Sequence, residues 1–280
     1  MTALLHSATL LETPCGEGTL VWHGWGRGNP SGHRPVVLLH GGSGSWTHWV
    51  RNIQSLVDAG REVWVPDLPG FGDSALPTDG HDADALAKPL EMGLQQLLGA
   101  RAVDLVGFSF GGMVGGYWAT DFPARVARLV LVGAPALGGA SHRSLNLKGW
   151  RHFPDEALRD EVHRHNLSVL MLHDPQRIDA QVMALHKANV VRDRMPGRRL
   201  SVTDVLAQSL VRVHCPVFAI YGHEDALYLG RLAALEAALN AAPTFQRLQW
   251  VEEAGHWVQY EQAEVFNAVL LKILEPAETA

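Results

Sequence analysis

Short apolar runs alternate with longer amphipathic stretches along most of the chain. Apolar runs bounded by Gly, Pro or polar residues are typical of buried strands, whereas longer stretches with one apolar side are typical of helices. This alternation predicts an α/β fold with a mostly parallel central sheet and flanking helices. The predicted strands are 36–39, 63–65, 103–106, 129–132, 217–221 and 245–251, and the predicted helices are 49–59, 83–98, 110–121, 232–240 and 262–274.

The interval between the strand that ends at Gly133 and the strand that begins near Val217 breaks this alternation. It is about 80 residues long, far more than one crossover between parallel strands needs. Because it contains helical patterns but no convincing core strand, we predict that residues 136–212 form a helical cap, or lid, over the carboxyl edge of the sheet. Residues 1–135 and 213–280 then form the core domain.

Charge also separates the cap from the core. Residues 136–212 carry 12 Lys and Arg against 8 Asp and Glu, a net charge of +4, whereas the rest of the chain has 11 against 21, or −10. A basic lid over a pocket favours a small anionic substrate. Arginines scattered over a solvated helical surface are an alternative explanation of the same count.

The composition excludes several classes of partner. The formal net charge is −6 and the chain has no run of Lys and Arg, so we expect neither nucleic acid nor an anionic membrane as a partner. No segment approaches the apolar length that spans a bilayer. The two cysteines, Cys15 and Cys215, are too few for a disulfide framework, which favours a reducing, cytoplasmic location. The sequence leaves open whether the protein forms a homodimer.

The sequence GFSFG at 107–111 is the strongest chemical signal. It follows a predicted strand and precedes a predicted helix, which is the context that a GxSxG nucleophile turn requires. A serine at such a turn projects its hydroxyl above the sheet, beside the amides at the helix amino terminus. We therefore predict that Ser109 is a nucleophile, with a structural serine in a Gly-rich turn as the alternative.

A serine hydroxyl needs a base that takes its proton during attack, and that base needs a carboxylate partner. His256 lies in a short loop between the last predicted strand and the last predicted helix, a position that overhangs the nucleophile turn. Asp225 follows the strand VFAIY in the sequence GHED. We predict His256 as the base and Asp225 as its orienting carboxylate, and the adjacent Glu224 is the competing carboxylate.

The segment LLHGGSGSW at 38–46 runs from a strand into a glycine-rich turn. Such a turn lets backbone N–H groups approach a substrate oxygen closely. We predict the amides of Gly42 and Phe110 as an oxyanion hole, with Gly41 and Ser43 in the substrate pocket. A simple tight turn is the alternative.

Five motifs, distributed along almost the whole chain, together resemble the α/β-hydrolase superfamily. They are HGG at 40–42, DLPGFGDS at 67–74, GFSFGG at 107–112, GHED at 222–225 and GHW at 255–257. Two segments are similar to the meta-cleavage-product hydrolases, which cut carbon–carbon bonds in ring-fission products: WVRNI at 49–53 and GHWVQYEQAEVFN at 255–267. The stretch Gly-Ser-Gly-Ser-Trp at 42–46 departs from that branch.

The resemblance implies further pocket residues. Trp257 would line the pocket, and an arginine of the cap would bind an acid group of the substrate. The stretch MALHKANVVRDR at 183–194 corresponds to the cap segment that carries this arginine, and its candidates are His186, Lys187, Arg192 and Arg194. For each residue taken singly, a solvated helix charge is the favoured explanation.

The resulting hypothesis is a serine-triad hydrolase that acts on a small carbonyl substrate, either a carboxylic ester or a vinylogous ketone acid. Two alternatives use the same pocket: perhydrolysis or acyl transfer by the same triad, and a ligand-binding sensor with weak hydrolysis. Nothing in the sequence resembles a P-loop, a dinucleotide fingerprint or a metal-ligand cluster, so we expect no cofactor and no metal.

Overall fold

A computed structural model describes residues 2–28, 31–138 and 145–275 of the chain. An eight-stranded sheet forms its centre, with strand order β1-β2-β4-β3-β5-β6-β7-β8. In chain order, the strands β1 to β8 are Thr9–Cys15, Gly18–Trp25, Val36–Leu39, Val63–Pro66, Val103–Phe108, Val126–Val132, Val217–Gly222 and Phe245–Val251.

The sheet is parallel from β4 to β8, and antiparallel pairing joins β1 to β2 and β2 to β4. The predicted mostly parallel sheet is therefore confirmed, as are its six predicted strands. The two amino-terminal strands are an addition that the apolar pattern did not predict. Strand β1 lies at the edge of the sheet and carries an alternating burial pattern rather than a continuous apolar run.

Helices cover both faces of the sheet. In chain order, the helices α1 to α10 are Thr2–His6, Ile53–Asp58, Ala87–Leu98, Phe110–Asp121, Glu156–Asn166, Ala180–Val190, Val205–Leu210, Leu232–Asn240, Val258–Glu261 and Ala263–Leu274. Helices α3, α4, α7 and α8 pack on one face, and α2 and α10 pack on the other. No helix among the described residues is both long and apolar enough to cross a membrane.

Strand β3 shows how the sequence builds this arrangement. Its four residues are fully buried, with Val37 and Leu39 in the core of one face and Val36 and Leu38 in the core of the other. Alternate side chains of a strand point to opposite faces, so a strand covered on both sides must be apolar throughout. The short apolar runs in the sequence are therefore strands that are buried on both faces of the sheet.

Between β6 and β7 the described residues form helices joined by loops and turns, with no strand. This segment contains α5, α6 and α7, together with single turns at Leu167–Met171, Pro175–Arg177 and Leu200–Val202. Asp155 and Asp179 cap α5 and α6 by accepting backbone amides, Asp179 from Val182 at 2.8 Å. These caps satisfy N–H groups that the first turn of a helix leaves free.

Candidate active site

Ser109 occupies the turn between β5 and α4, with φ of 49° and ψ of −116°. A non-glycine residue at positive φ is strained, and the surrounding backbone must hold it there. A Cβ added at Gly107 would lie 2.4 Å from the carbonyl oxygen of Gly111, and one added at Gly111 would lie 2.6 Å from that of Leu39. The glycines flanking the serine therefore allow a turn this tight.

His256 reaches this turn from the loop after β8. Its Nε2 lies 2.9 Å from the Oγ of Ser109, although the two residues are 147 positions apart. Its ring packs against Phe108, with centroids 5.1 Å apart, and the residue is 2% exposed. The hydroxyl and the imidazole are thus within hydrogen-bond distance, with the imidazole buried and the serine partly exposed.

Asp225 follows β7 and lies behind the imidazole. Its Oδ2 and Oδ1 are 2.9 and 3.1 Å from the Nδ1 of His256, and the carboxylate is fully buried. The amide of Leu227 donates to the same carboxylate at 2.9 Å. Glu224 points elsewhere: its side chain is one-third exposed, and its Oε1 lies 3.4 Å from the Nδ1 of His223. The structure brings Asp225, and not Glu224, to the imidazole.

The glycine-rich turn after β3 lies beside Ser109. Gly41, Gly42 and Ser43 line the same cavity as Ser109 and Phe110. The amide of Gly41 is occupied, since it donates to the Nδ1 of His48 at 3.2 Å. Within the described part of the chain, the amides of Gly42 and Phe110 have no hydrogen-bond acceptor. These two amides are available to a substrate oxygen.

His40 connects this turn to the loop after β4. Its Nδ1 lies 2.8 Å from the carbonyl oxygen of Gly41, and its Nε2 accepts the amide of Leu68 at 2.8 Å. Burial lowers the pKa of His40 to about 4, against a weaker opposing effect of Asp67. A neutral ring with its proton on Nδ1 fits both contacts.

A cavity of about 880 Å³ opens above Ser109 and His256. Most of its wall is apolar and comes from both the sheet edge and the segment between β6 and β7, including Pro135, Leu145, Leu147, Leu170, Met171, Met195, Val202 and Leu227. Within the described part of the chain, no three His, Cys, Asp or Glu side chains are grouped to hold a metal ion.

Among the described residues, three arginines line this cavity. Arg198 makes a two-pronged ion pair with Asp193, with N···O distances of 2.9 and 2.8 Å. Arg194 donates to the backbone carbonyls of Gly72 and Ser74. Arg151 lies over the ring of Trp150, 4.7 Å from its centroid, and donates to the carbonyl oxygen of Val190 at 3.2 Å. Among the described residues no carboxylate lies within ion-pair distance of Arg151, whose charge is therefore available to a ligand.

Asp193 also accepts the hydroxyl of Ser43 at 2.5 Å and the amide of Met195 at 3.0 Å. Burial acts to raise the pKa of its carboxyl, but the hydrogen bonds from Arg198 and Ser43 outweigh burial and hold the pKa below its usual value. The ionised carboxylate thus joins the glycine-rich turn to the loop after α6.

Three residues that the resemblance placed in the pocket lie away from this cavity. Trp257 is buried against Tyr260, with ring centroids 4.3 Å apart. His186 packs edge-on to His163 within the helical segment, at 5.1 Å. Arg192 pairs with Asp73 at 3.0 Å, with 31% of its side chain exposed.

Sequence reasoning did not find Arg151, Asp193, Arg198 and His48. A signal was present for two of them, because Asp193 and Arg198 lie in a loop that contains Pro196 and Gly197. Functional side chains concentrate in loops held by rigid elements. Arg151 and His48 carry no comparable signal.

A family model for the alpha/beta hydrolase fold matches residues 34–263. The chain belongs to the α/β-hydrolase family. The resemblance read from the five motifs is thereby confirmed, and with it the fold class.

Curated relatives of this α/β-hydrolase include hydrolases that are named for dienoate and dienedioate substrates. A 2-hydroxy-6-oxononadienedioate/2-hydroxy-6-oxononatrienedioate hydrolase of Paraburkholderia phymatum is 28% identical over 261 residues, which cover 87% of this chain and 88% of the relative. A 2-hydroxy-6-oxo-6-phenylhexa-2,4-dienoate hydrolase of Burkholderia cepacia is 28% identical over 257 residues, which cover 85% and 87%. The similarity to meta-cleavage-product hydrolases therefore extends along most of both chains.

Solved structures share the fold. A serine hydrolase from Cycloclasticus zankles superposes with a TM-score of 0.78 at 20% identity, covering 98% of this chain and all of the other. A meta-cleavage product hydrolase from Pseudomonas fluorescens gives 0.72 at 24% identity, covering 94% and 96%. An esterase from Rhodococcus gives 0.73 at 23% identity, covering 95% and 98%.

Proposed function

We propose that this α/β-hydrolase is a serine-triad enzyme in which Ser109 is the nucleophile, His256 the general base and Asp225 the orienting carboxylate. The observation that carries the proposal is the line of contacts from Ser109 Oγ to His256 Nε2 at 2.9 Å and from His256 Nδ1 to Asp225 Oδ2 at 2.9 Å. A carboxylate at Nδ1 favours the tautomer whose Nε2 is free to accept a proton.

The reaction then follows from these positions. Ser109 Oγ attacks the substrate carbonyl carbon and its proton passes to His256 Nε2. The amides of Gly42 and Phe110 bind the oxygen that becomes negative. His256 next protonates the leaving group, which is an oxygen in an ester or a carbon in a ring-fission product. Water then hydrolyses the acyl-enzyme, with His256 again acting as base.

We propose residues 136–212 as the cap over this site, and residues 1–135 and 213–280 as the core; residues 139–144 lie outside the described part. The last helix of the proposed cap, α7, packs on a face of the sheet beside α4 and so adds to the core. Hydrogen bonds that hold the segment 136–212 on the core support its proposed role as a cap. Trp257 donates its amide to the carbonyl of Met171 at 2.8 Å. The buried carboxylate of Glu261 accepts the amides of His173 and Asp174 at 3.0 and 2.8 Å.

The substrate we propose is a small, mostly apolar carbonyl compound that carries a carboxylate, with Arg151 as the group that binds this carboxylate. The apolar wall of the cavity supports this choice, as does the guanidinium of Arg151, which makes no ion pair with a described residue. The dienoate and dienedioate substrates in the names of the curated relatives are compounds of this kind. We therefore favour a ring-fission dienoate over a short neutral ester.

We also propose a cytoplasmic location for this enzyme. Cys15 and Cys215 are both free thiols, as is usual in a reducing compartment. A homodimer stays a prediction.

The proposal is tested by measuring turnover of short p-nitrophenyl esters and of a ring-fission dienoate side by side, with wild type and Ser109→Ala. We expect preference for the dienoate, and a fall in turnover of at least roughly 1,000-fold in the variant. Near-normal turnover by Ser109→Ala would remove the nucleophile role. Inertness of the wild type towards both substrates, with dienoate binding retained, would favour the sensor, and acyl transfer to added acceptors would favour the transferase.

A further inference from the structure

His48 lies directly beneath the glycine-rich turn that follows β3. It belongs to the single helical turn Trp46–Trp49, and it is 4% exposed. Its Nδ1 accepts the amide of Gly41 at 3.2 Å. A Cβ added at Gly44 would lie 2.3 Å from the Cε1 of His48, so the turn lies directly against this ring.

The ring itself is held on several sides. Its centroid lies 5.4 Å from that of Phe108, which precedes Ser109, and 4.9 Å from that of Trp257, which follows His256. The indole Nε1 of Trp257 donates to the carbonyl oxygen of His48 at 3.1 Å. The buried Trp257 therefore supports His48 and does not line the cavity.

We propose that His48 is a positioning residue, which fixes the peptide before Gly41 so that the amide of Gly42 points at the substrate oxygen. This inference rests on the proposed function. Two successive peptides are held: His48 binds the N–H of Gly41, and His40 binds the C=O of Gly41. In a trans peptide the N–H points opposite to the C=O. The amide of Gly42 is consequently directed away from His40 and towards the cavity.

His48 can act in this way only when its Nδ1 carries no proton. A protonated Nδ1 would be a donor facing the N–H of Gly41, and two donors form no hydrogen bond. The proton of the neutral ring then belongs on Nε2. Burial lowers the pKa of His48 well below its usual value, and the nearby imidazoles of His40, His186 and His256 lower it further. The ring thus stays a hydrogen-bond acceptor at neutral pH.

A second explanation is that His48 only fills space between Phe108 and Trp257. The two explanations differ for His48→Asn and His48→Leu. An asparagine carries an acceptor oxygen at the position of Nδ1, whereas a leucine fills the space without an acceptor. His163→Leu is a matched control, since His163 is 3% exposed and packs 5.1 Å from the ring of Trp150, away from the turn.

The experiment measures kcat and KM for the preferred substrate, and the inhibition constant of a trifluoromethyl ketone, which forms an oxyanion when serine adds to it. We expect His48→Leu to lower kcat roughly 10- to 100-fold and to weaken the inhibitor in proportion, with KM changed less than about threefold. We expect His48→Asn to retain most of kcat, and His163→Leu to leave both constants unchanged.

Equal loss in His48→Asn and His48→Leu, or normal kcat in a folded His48→Leu, would overturn the inference. If the leucine variant does not fold, amide hydrogen exchange of Gly41 in the wild type decides instead: protection supports the hydrogen bond, and fast exchange refutes it. Loss of activity in Ser109→Ala together with normal kcat in His48→Leu would reject His48 alone and leave the proposed function standing.

Discussion

Ser43 and Asp193 are 150 positions apart in the chain, and the hydroxyl of one donates to the carboxylate of the other at 2.5 Å. Ser43 has φ of 50°, in the left-handed region that favours glycine. Asp193 is at the same time the ion-pair partner of Arg198. The turn that carries the proposed oxyanion hole is therefore held by the loop between α6 and α7 as well as by the core.

Asp193→Asn removes the charge that holds Arg198 and weakens the acceptor for Ser43. We expect kcat/KM to fall roughly 10- to 100-fold, because a small displacement of the turn misaligns the amide of Gly42. Asp73→Asn is the matched control, since Asp73 makes an exposed ion pair with Arg192. Steady-state kinetics of both variants checks this, and equal kinetics of the two variants would contradict it.

Asp225→Asn leaves the shape of the site nearly unchanged but replaces the acceptor at His256 Nδ1 by an amide. We expect kcat to fall on the order of 1,000- to 10,000-fold, because the imidazole loses the tautomer and the charge partner that it needs. Glu224→Gln is the adjacent control, and we expect nearly normal kcat for it. A larger loss in Glu224→Gln than in Asp225→Asn would reverse our choice of carboxylate.

Arg151→Met keeps the length of the side chain and removes its charge. We expect KM for an anionic dienoate to rise roughly 10-fold, since a charge-assisted hydrogen bond is lost, and KM for a neutral ester to stay the same. Arg192→Met, at the exposed pair with Asp73, is the control. An equal rise in KM for both substrates would show that Arg151 does not bind the carboxylate.

The imidazole of His186 makes the stability of the protein depend on pH. Burial, with a smaller contribution from His163, lowers its pKa from 6.5 to about 4. Between these values the unfolded chain binds the proton and the folded chain does not. Stability present above pH 6.5 is therefore lost as the pH falls towards 4.

Urea unfolding at several pH values tests this. Between about pH 5 and 6, the free energy of unfolding should fall less steeply with decreasing pH in His186→Asn than in the wild type. The two slopes should differ by about 1 kcal/mol per pH unit. His81→Asn, a change of the same kind at an exposed position, is the control. Parallel curves for the wild type and His186→Asn would contradict the expectation.

The positions of Ser109, Asp225 and His256 could be predicted because each follows the carboxyl end of a strand. Parallel strands bring these ends to one edge of the sheet, so a local pattern was enough to place three distant side chains together. The antiparallel strands β1 and β2 were missed because their mixed polar and apolar residues do not form a run typical of a buried strand.

The pocket residues from the cap could not be predicted in the same way. Arg192 and Arg194 are two positions apart, yet Arg192 pairs with Asp73 at the surface while Arg194 lines the cavity. Which side faces the cavity depends on how the helical segment packs on the core, and neither residue type nor spacing fixes that packing. The role of His48 depends likewise on a contact with one backbone amide.

The most direct test of the proposed triad is the site and rate of labelling by a fluorophosphonate, which reacts with an activated serine and needs no knowledge of the substrate. Mass spectrometry of the wild type should find one adduct, on Ser109, and His256→Ala should react at least roughly 100-fold more slowly. An adduct on another residue, or an unchanged rate in His256→Ala, would contradict the triad.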